Sequence, residues 1–369
     1  MRVSALDKIV VQDFRNIVLQ EVSFSPNINC ISGGNGEGKT NLLDAIWYLS
    51  MTKSAFASSD RFNFRHGQTS FAIAGSYTMQ DGLKSRFSIS VSGSGEKRLR
   101  RDDKAYGKIS DHIGVLPVVM VSPSDISLVS ESGDERRRFV NSVLSQMDHA
   151  YMADLQQYNR LLLQRNRMLK TGMADDDLLA TFDGRLAALA EPIHKRRAEL
   201  CLDMVPRVSR YCHEISGGRE DVDIEYRSDL ARGPLDAILL EHREKDKALR
   251  FTTAGIQRDD FIFNMGGHPI RRCGSQGQQK SFIVALKFAQ YELMKDRAGA
   301  PPMMLLDDLF DKLDPSRVAN LLAMVADKDF GQIFITDSDK VRTHGIVDAL
   351  TTDRMYIKAE GGVFTRSDE

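Results

Sequence analysis

Asn27-Ile28-Asn29-Cys30-Ile31-Ser32-Gly33-Gly34-Asn35-Gly36-Glu37-Gly38-Lys39-Thr40 begins as a short apolar run and ends in a pattern of glycines, a lysine and a threonine. The last eight residues fit G-x-x-x-x-G-K-[ST], and a helical pattern follows in Leu42, Leu43, Ile46 and Leu49. Strand, glycine loop and helix form the context in which this motif cradles phosphates. Glycines let backbone N–H groups curl around the phosphates, and the helix N-terminus adds its positive dipole. Lys39 is placed to reach the β- and γ-phosphates and the Thr40 hydroxyl to meet Mg²⁺. Gly33, Gly34, Asn35, Gly36, Glu37, Gly38, Lys39 and Thr40 are therefore candidate ATP-binding residues, with ATP and Mg²⁺ as the cofactors. A chance glycine loop would lack the flanking strand and helix.

Two downstream segments extend the motif. Pro302-Met303-Met304-Leu305-Leu306-Asp307-Asp308 reads as a buried strand ending in two carboxylates. In phosphate-loop proteins such a strand is expected beside the loop, with its first acid, Asp307, on Mg²⁺. Asp308 would then orient or deprotonate the attacking water, making Lys39 and Asp308 the catalytic candidates. Ser275-Gln276-Gly277-Gln278-Gln279-Lys280 precedes a helix (Phe282, Ala285, Leu286, Ala289) and stands upstream of the acids. It resembles the S-x-G-Q form of the signature motif of ABC-type ATPases. A lone S-x-G-Q is ordinarily a helix cap. In this order a serine hydroxyl, a glycine N–H and a helix N-terminus make a second γ-phosphate site, which the ABC resemblance assigns to a partner subunit. Ser275, Gln276, Gly277, Gln278 and Gln279 are the candidates acting across that dimer.

Leu313-Asp314-Pro315-Ser316-Arg317 looks like the loop that lines the dimer contact in this class, with Asp314 as its key acid. Gln332-Ile333-Phe334-Ile335-Thr336-Asp337 is a strand ending where many relatives carry a switch histidine, and Thr336 occupies that place. Asp308 stands where glutamate is usual and is one methylene shorter. Hydrolysis is therefore expected to be slow, below the ordinary enzyme range of about 1–1000 per second.

Around these motifs the chain alternates in texture. Lys8–Val11, Leu19–Phe24, Phe71–Tyr77 and Phe87–Val91 read as strands, the last pair joined near Asp81-Gly82. From Asp134 to about Arg210 glycines are rare. Tyr151, Leu155, Tyr158, Leu162 and Leu169 recur at helical spacing, as do Leu186, Leu189, Ile193 and Leu200. Two antiparallel helices forming a short coiled-coil hairpin are the simplest solution. Strand texture returns at Val222–Tyr226 and Phe261–Phe263, and the last stretch alternates helix and strand. The expected fold is α/β. It is an ABC-type head, a mixed sheet with an antiparallel lobe, split in sequence by an inserted helical domain. The expected boundaries are 1–124 and 248–369 for the head and 125–247 for the insertion.

The chain has 369 residues, more than one core usually organises. Its 50 Lys+Arg against 51 Asp+Glu leave a net charge of -1, which excludes a globally basic nucleic-acid binder but permits local patches. Cys30, Cys201, Cys212 and Cys273 are scattered and form no CxxC pair, which fits a reducing compartment. No signal-peptide pattern opens the chain and no long apolar run follows, so a cytoplasmic protein is expected.

The long interval from Lys39 to Ser275 exceeds that of transporter ATPases and falls short of those with very long coiled coils. Several further motifs then carry a resemblance: Asp13-Phe14-Arg15-Asn16, Glu135-Arg136-Arg137-Arg138-Phe139, Tyr158-Asn159-Arg160, Gln164-Arg165-Asn166, Arg258-Asp259-Asp260-Phe261 and Leu306-Asp307-Asp308-Leu309-Phe310. With the phosphate loop and the signature, these resemble the RecF family of bacterial DNA repair and replication ATPases through nearly the whole chain. Gly255-Ile256-Gln257 departs from the usual Gly-Pro-His. The resemblance implies an ATP-dependent homodimer on DNA, at gaps or single-strand/duplex junctions. It also implies work with RecR and RecO in loading RecA, and a role in the SOS response. Candidate DNA contacts are Lys97, Arg98, Arg100 and Arg101, then Arg136, Arg137 and Arg138, and Lys195, Arg196 and Arg197, although each cluster reads more readily as a solvated or ion-paired face. Arg15 and Arg65 are candidates for nucleotide or dimer contacts. The alternative is an ABC-type ATPase subunit energising a membrane transporter, against which the inserted hairpin argues.

Overall fold

The computed structural model describes residues 5–172, 175–309, 317, 318, 320, 321, 324, 330–338, 345, 347, 348, 351 and 353–367. Asp314 lies outside them. By its contacts the chain divides into one unit of Met1–Asp125, Glu214–Gly217 and Ile283–Glu369, and a second of Ile126–His213 and Gly218–Phe282.

The first unit opens with β1 (Ala5–Phe14), β2 (Ile17–Ser23), β3 (Ile28–Ser32) and α1 (Lys39–Met51). It continues through β4 (Ser70–Thr78), β5 (Lys84–Ser92), β6 (Lys97–Arg101), β7 (Lys104–Ala105) and β8 (Val118–Val121). The second unit holds α2 (Ser127–Ser130), α3 (Gly133–Met147), α4 (His149–Thr171), nearly all of α5 (Asp176–Ser216), β9 (Val222–Arg227) and α6 (Leu235–Leu249). It also takes β10 (Asp260–Met265), β11 (His268–Pro269), α7 (Ile270–Cys273) and the start of α8 (Gln276–Ala298). The rest of α8, then β12 (Met303–Asp307), β13 (Ile333–Asp337), β14 (Arg354–Glu360) and β15 (Val363–Ser367), returns to the first unit.

Two six-stranded sheets build the first unit. One is antiparallel, in the order β2-β1-β4-β5-β6-β7, and its strands alternate buried and exposed residues as a sheet with one wet face must. The other runs β15-β14-β3-β13-β12-β8, parallel throughout except for the β14–β15 hairpin. Its central strands β3, β12 and β13 are buried at every position, which is why they read as short, mainly apolar runs without alternation. Leu42, Leu43, Ala45, Ile46 and Leu49 of α1 fill the core with side chains from both sheets. Of β6 only Leu99, opposite Ile89, is apolar and buried; its four basic residues hid the strand.

In the second unit α4 and α5 form a hairpin of two helices. Arg165 pairs with Asp183 and Tyr151 with Arg197, one contact nearer the turn and one farther from it, so the helices run antiparallel. The buried positions on α5 (Asp183, Leu186, Ala190, Ile193, Arg197, Leu200, Met204) alternate steps of three and four. Charged residues therefore sit inside the apolar seam. Arg165 is fully buried and bonds Asp183, Asp246 and Thr252, which ties α4, α5, α6 and the loop after α6 together. The antiparallel sheet β11-β10-β9 completes this unit. Because β9 pairs along its length with β10, residues 248–282 group here by contact, whereas sequence texture had placed a boundary at 247.

In two of the three basic runs offered for DNA contact, some of the arginines are held inside the fold. Arg136 is 9% exposed and grips both carboxylate oxygens of Asp260, at 2.8 and 3.0 Å. Arg137 bonds the Asp259 carbonyl and the Asp134 carboxylate. Arg197 is 2% exposed and donates to Asp259 at 2.6 Å, to the Ile256 carbonyl and to Asn141. Exposed position and charge cannot be separated in a run such as Lys195-Arg196-Arg197 until the helix phase is known. Arg197→Ala leaves the buried Asp259 carboxylate without its cation, so the second unit is expected to lose about 3–5 kcal/mol of stability. Chemical denaturation checks this, and Lys195→Ala, on the exposed face of the same turn, serves as the neutral control.

Candidate nucleotide site

Three strands and one helix position the site in the first unit. β3 delivers the chain into Gly33–Gly38, and α1 begins at Lys39. Gly38, the N-cap, has φ 104°, a conformation that L side chains rarely adopt, and a Cβ there would lie 2.8 Å from the Asn16 side chain. A Cβ on Gly33 would meet the Ala359 carbonyl oxygen at 2.4 Å. The loop is thus held closely between the β1–β2 turn and the C-terminal hairpin. Glu37 completes this bracing: its backbone carbonyl accepts from Gly362 N at 2.9 Å and its carboxylate accepts from Gly361 N. The Glu37 side chain belongs to the scaffold of the loop, and only its backbone remains for phosphate.

No acidic residue stands in the first turn of α1, so its N-terminal dipole faces the loop uncompensated by side chains of that turn. Lys39 is 5% exposed, and its ammonium donates to Gly33 O at 2.7 Å and Gly34 O at 2.9 Å, across the mouth of the loop. The Thr40 hydroxyl lies 3.0 and 2.9 Å from the two carboxylate oxygens of Asp307. The phosphate loop and the acid strand, separated by most of the sequence, therefore meet as the motifs required.

The sheet sets a third strand between the two that carry these motifs. β12 does not neighbour β3; β13 is hydrogen-bonded between them. Thr40 reaches Asp307 because α1 starts above the sheet and passes over the interposed strand. Thr336 of β13 stands directly beside Asp307 in the ladder, and its hydroxyl donates to Asp307 Oδ1 at 2.6 Å. Burial raises the Asp307 carboxyl above its ordinary range; the Thr336 and Thr40 hydroxyls oppose that, and the neighbouring Asp308 charge adds to it. Asp308 has φ 44°, and its N–H donates to Thr336 Oγ1 at 3.1 Å.

Thr40 and Asp307 offer hard oxygen donors on adjacent elements, which fits Mg²⁺. That ion commonly takes one or two protein ligands and fills its octahedron with waters and phosphate oxygens. Among the described residues no group of three or more His, Cys, Asp or Glu side chains could hold a metal by itself. The donor set therefore suits a cation that arrives with the nucleotide.

The signature segment lies in the second unit. Ser275 caps α8: its Oγ accepts from Gln278 N at 3.3 Å, and Gln278 Oε1 accepts from Ser275 N at 2.9 Å. Gln279 donates to the Gly274 carbonyl. Phe282 fixes the start of the helix against Phe263, ring centroids 4.9 Å apart. The cap leaves the Ser275 hydroxyl proton available, and Ser275 and Gln276 are exposed. Nothing lies within 4 Å of a Cβ built on Gly277, so no described neighbour requires a glycine there.

Asp13-Phe14-Arg15-Asn16 has a structural role. Arg15 donates to Asn41, Asp44, Ser54 and Asn63, and Asn16 accepts from Asn41. Arg65 pairs with Asp13. Of these two arginines, offered for nucleotide or dimer contacts, Arg15 braces α1 and the loop that follows it, and Arg65 ties that loop to β1. On the wet face of the antiparallel sheet, Arg86 and Arg100 are exposed with no described partner, beside Ser88 and Ser90. Arg98 pairs with Glu96, and Arg101 approaches Asp102 and lies over the Phe87 ring. Lys97 is held by Asp60 and the Thr52 carbonyl. Lys195 is exposed, and Arg196 is half-exposed beside Asp148.

The RecF/RecN/SMC N terminal domain family matches residues 5–356. DNA replication and repair protein RecF of Parabacteroides distasonis is 40% identical over 357 residues, covering 97% of this chain and 98% of that protein. Its counterpart in Flavobacterium johnsoniae is 40% identical over 346 residues, covering 93% and 96%. A solved structure of the recombination mediator protein RecF with ATP, in the RecFOR pathway, aligns with a TM-score of 0.88 at 28% identity, covering 99% of this chain and 98% of that one. The Smc head domain from Pyrococcus furiosus, bound to the C-terminal domain of ScpA, aligns at 0.58 and 14% identity, covering 99% and 96%, a likeness of fold alone.

Proposed function

The chain belongs to the RecF family, and we propose that it is an ATP-dependent DNA clamp of replication and repair whose two copies close on DNA around shared nucleotides. The observation that carries the reading is the contact of Thr40 with Asp307, which joins loop, helix and acid strand into one Mg·ATP site. Lys39 binds the β- and γ-phosphates, the N–H groups of Gly33–Gly38 line the rest, and Thr40 and Asp307 hold the metal. Mg²⁺ bound there would neutralise charge building on the transferred phosphoryl group. Asp308 positions the attacking water. Its short side chain, on a backbone turned to positive φ, holds that water loosely, and turnover is slow.

The second half of the site is the α8 N-terminus of the partner copy. The Ser275 hydroxyl and the backbone amides at Gln276 and Gly277 receive the γ-phosphate, with Gln278 and Gln279 supporting the cap. Only the triphosphate joins two heads, so hydrolysis dissolves the joint and releases the DNA. The relatives are replication and repair proteins, which disfavours the transporter alternative. RecR and RecO are the partners proposed on family grounds, at gapped or junction DNA, in loading RecA during the SOS response.

Arg86, Arg100, Lys195 and Arg196 are the side chains best placed to meet phosphates without reading sequence. Fluorescence anisotropy on gapped DNA tests the clamp. Affinity should be highest with ATP, low with ADP, and should fall steeply with salt. Each phosphate contact removed by neutralising a basic residue should flatten the salt slope by about one unit. Equal binding with ATP and ADP would contradict the clamp.

A further inference from the structure

We propose that Thr336 is the positioning residue of the metal carboxylate, a single hydroxyl that sets both acids of the site. The inference rests on the Mg·ATP reading above and adds a residue to it. β13 is interposed between the phosphate-loop strand and the acid strand, so position 336 is the ladder neighbour of Asp307, on the same face. The Thr336 side chain is fully buried. Its hydroxyl proton goes to Asp307 Oδ1 at 2.6 Å, and its oxygen accepts the Asp308 N–H at 3.1 Å. One Oγ therefore fixes the orientation of the first carboxylate and the left-handed backbone from which the second projects.

The division of labour between the two threonines follows from this geometry. Thr40 also touches Asp307, but its oxygen lone pairs are the ones that a metal would take. Thr336 is not required as a ligand and can keep its bond when the cation binds. It thereby holds Asp307 against rotation, as hydrogen-bonded partners of ligating carboxylates generally do. A β-branched side chain suits the task, since χ1 is stiff and the hydroxyl needs no search. The threonine stops at the carboxylates, so its contribution is to metal affinity and acid geometry.

The test uses the full chain as wild type, Thr336→Val and Thr336→Ser. Mn²⁺ affinity is measured by electron paramagnetic resonance with a saturating non-hydrolysable ATP analogue, and ATP affinity is measured separately in EDTA. Thr336→Val keeps the shape and removes the hydroxyl; it should weaken Mn²⁺ binding about 10–100-fold while metal-free ATP affinity changes by less than about threefold. Thr336→Ser should restore most of the Mn²⁺ affinity. Unchanged Mn²⁺ affinity in Thr336→Val overturns the proposal. So does an equal loss of ATP affinity in EDTA, which marks general damage to the fold. If the wild type itself binds neither ATP nor the metal–nucleotide complex, the underlying Mg·ATP reading falls first.

Discussion

Gly277→Gln should leave a folded protein that binds ATP as a monomer and no longer dimerises with it. The two halves of this expectation have separate physical origins. A helical glycine costs roughly 0.5–1 kcal/mol relative to a residue with a Cβ. Position 277 has an ordinary helical backbone and open space where its side chain would project. Local stability should therefore hold or rise slightly. Packing among the described residues gives no reason for glycine, and the reason we propose is what approaches α8 from outside. A phosphate seated on the helix N-terminus needs the backbone bare, and a glutamine side chain occupies that volume. ATP affinity of the isolated chain should stay close to wild type, while the ATP-dependent dimer is lost at micromolar protein. Thermal melts, nucleotide titration and light scattering read the three quantities independently. A variant that still dimerises with ATP would remove the signature from the composite site.

Lys39→Met is expected to abolish nucleotide binding at the source. Methionine preserves most of the buried stem and removes the ammonium, whose two acceptors, Gly33 O and Gly34 O, lie at the edge of an exposed loop and can turn to water. Stability should change little. A charge-assisted hydrogen bond contributes about 1.5–3 kcal/mol, so losing two to the phosphates should weaken ATP binding by at least about 100-fold. Every property that depends on ATP, dimerisation and DNA retention included, should fall with it. Isothermal titration with ATP checks this directly, and a variant retaining wild-type affinity would remove Lys39 from the phosphate site.

The nucleotide half of the site was legible in the sequence because its chemistry admits few residue types. Glycines, a lysine and a threonine between a strand and a helix leave little else to read, and Asp307 follows from the apolar strand that carries it. For the signature the structure shows the ordinary reading, a serine capping α8, and its role across a dimer is the proposal made above. What stayed hidden were relations across the sheet. Nothing local says that β13 inserts between β3 and β12, so Thr336 read only as a place without histidine. The arginines were hidden for a related reason. Arg136 and Arg197 look like surface charge until the distant Asp260 and Asp259 are brought beside them. β6 was masked by the four basic residues around Leu99.

The claim that two copies share nucleotide is tested most directly by sedimentation velocity of the full chain with Mg·ATP, with Mg·ADP and without nucleotide, each with and without gapped DNA. The account predicts monomers without nucleotide and with ADP, and dimers with ATP that DNA strengthens. A monomer under all conditions, or a dimer indifferent to the γ-phosphate, would contradict it.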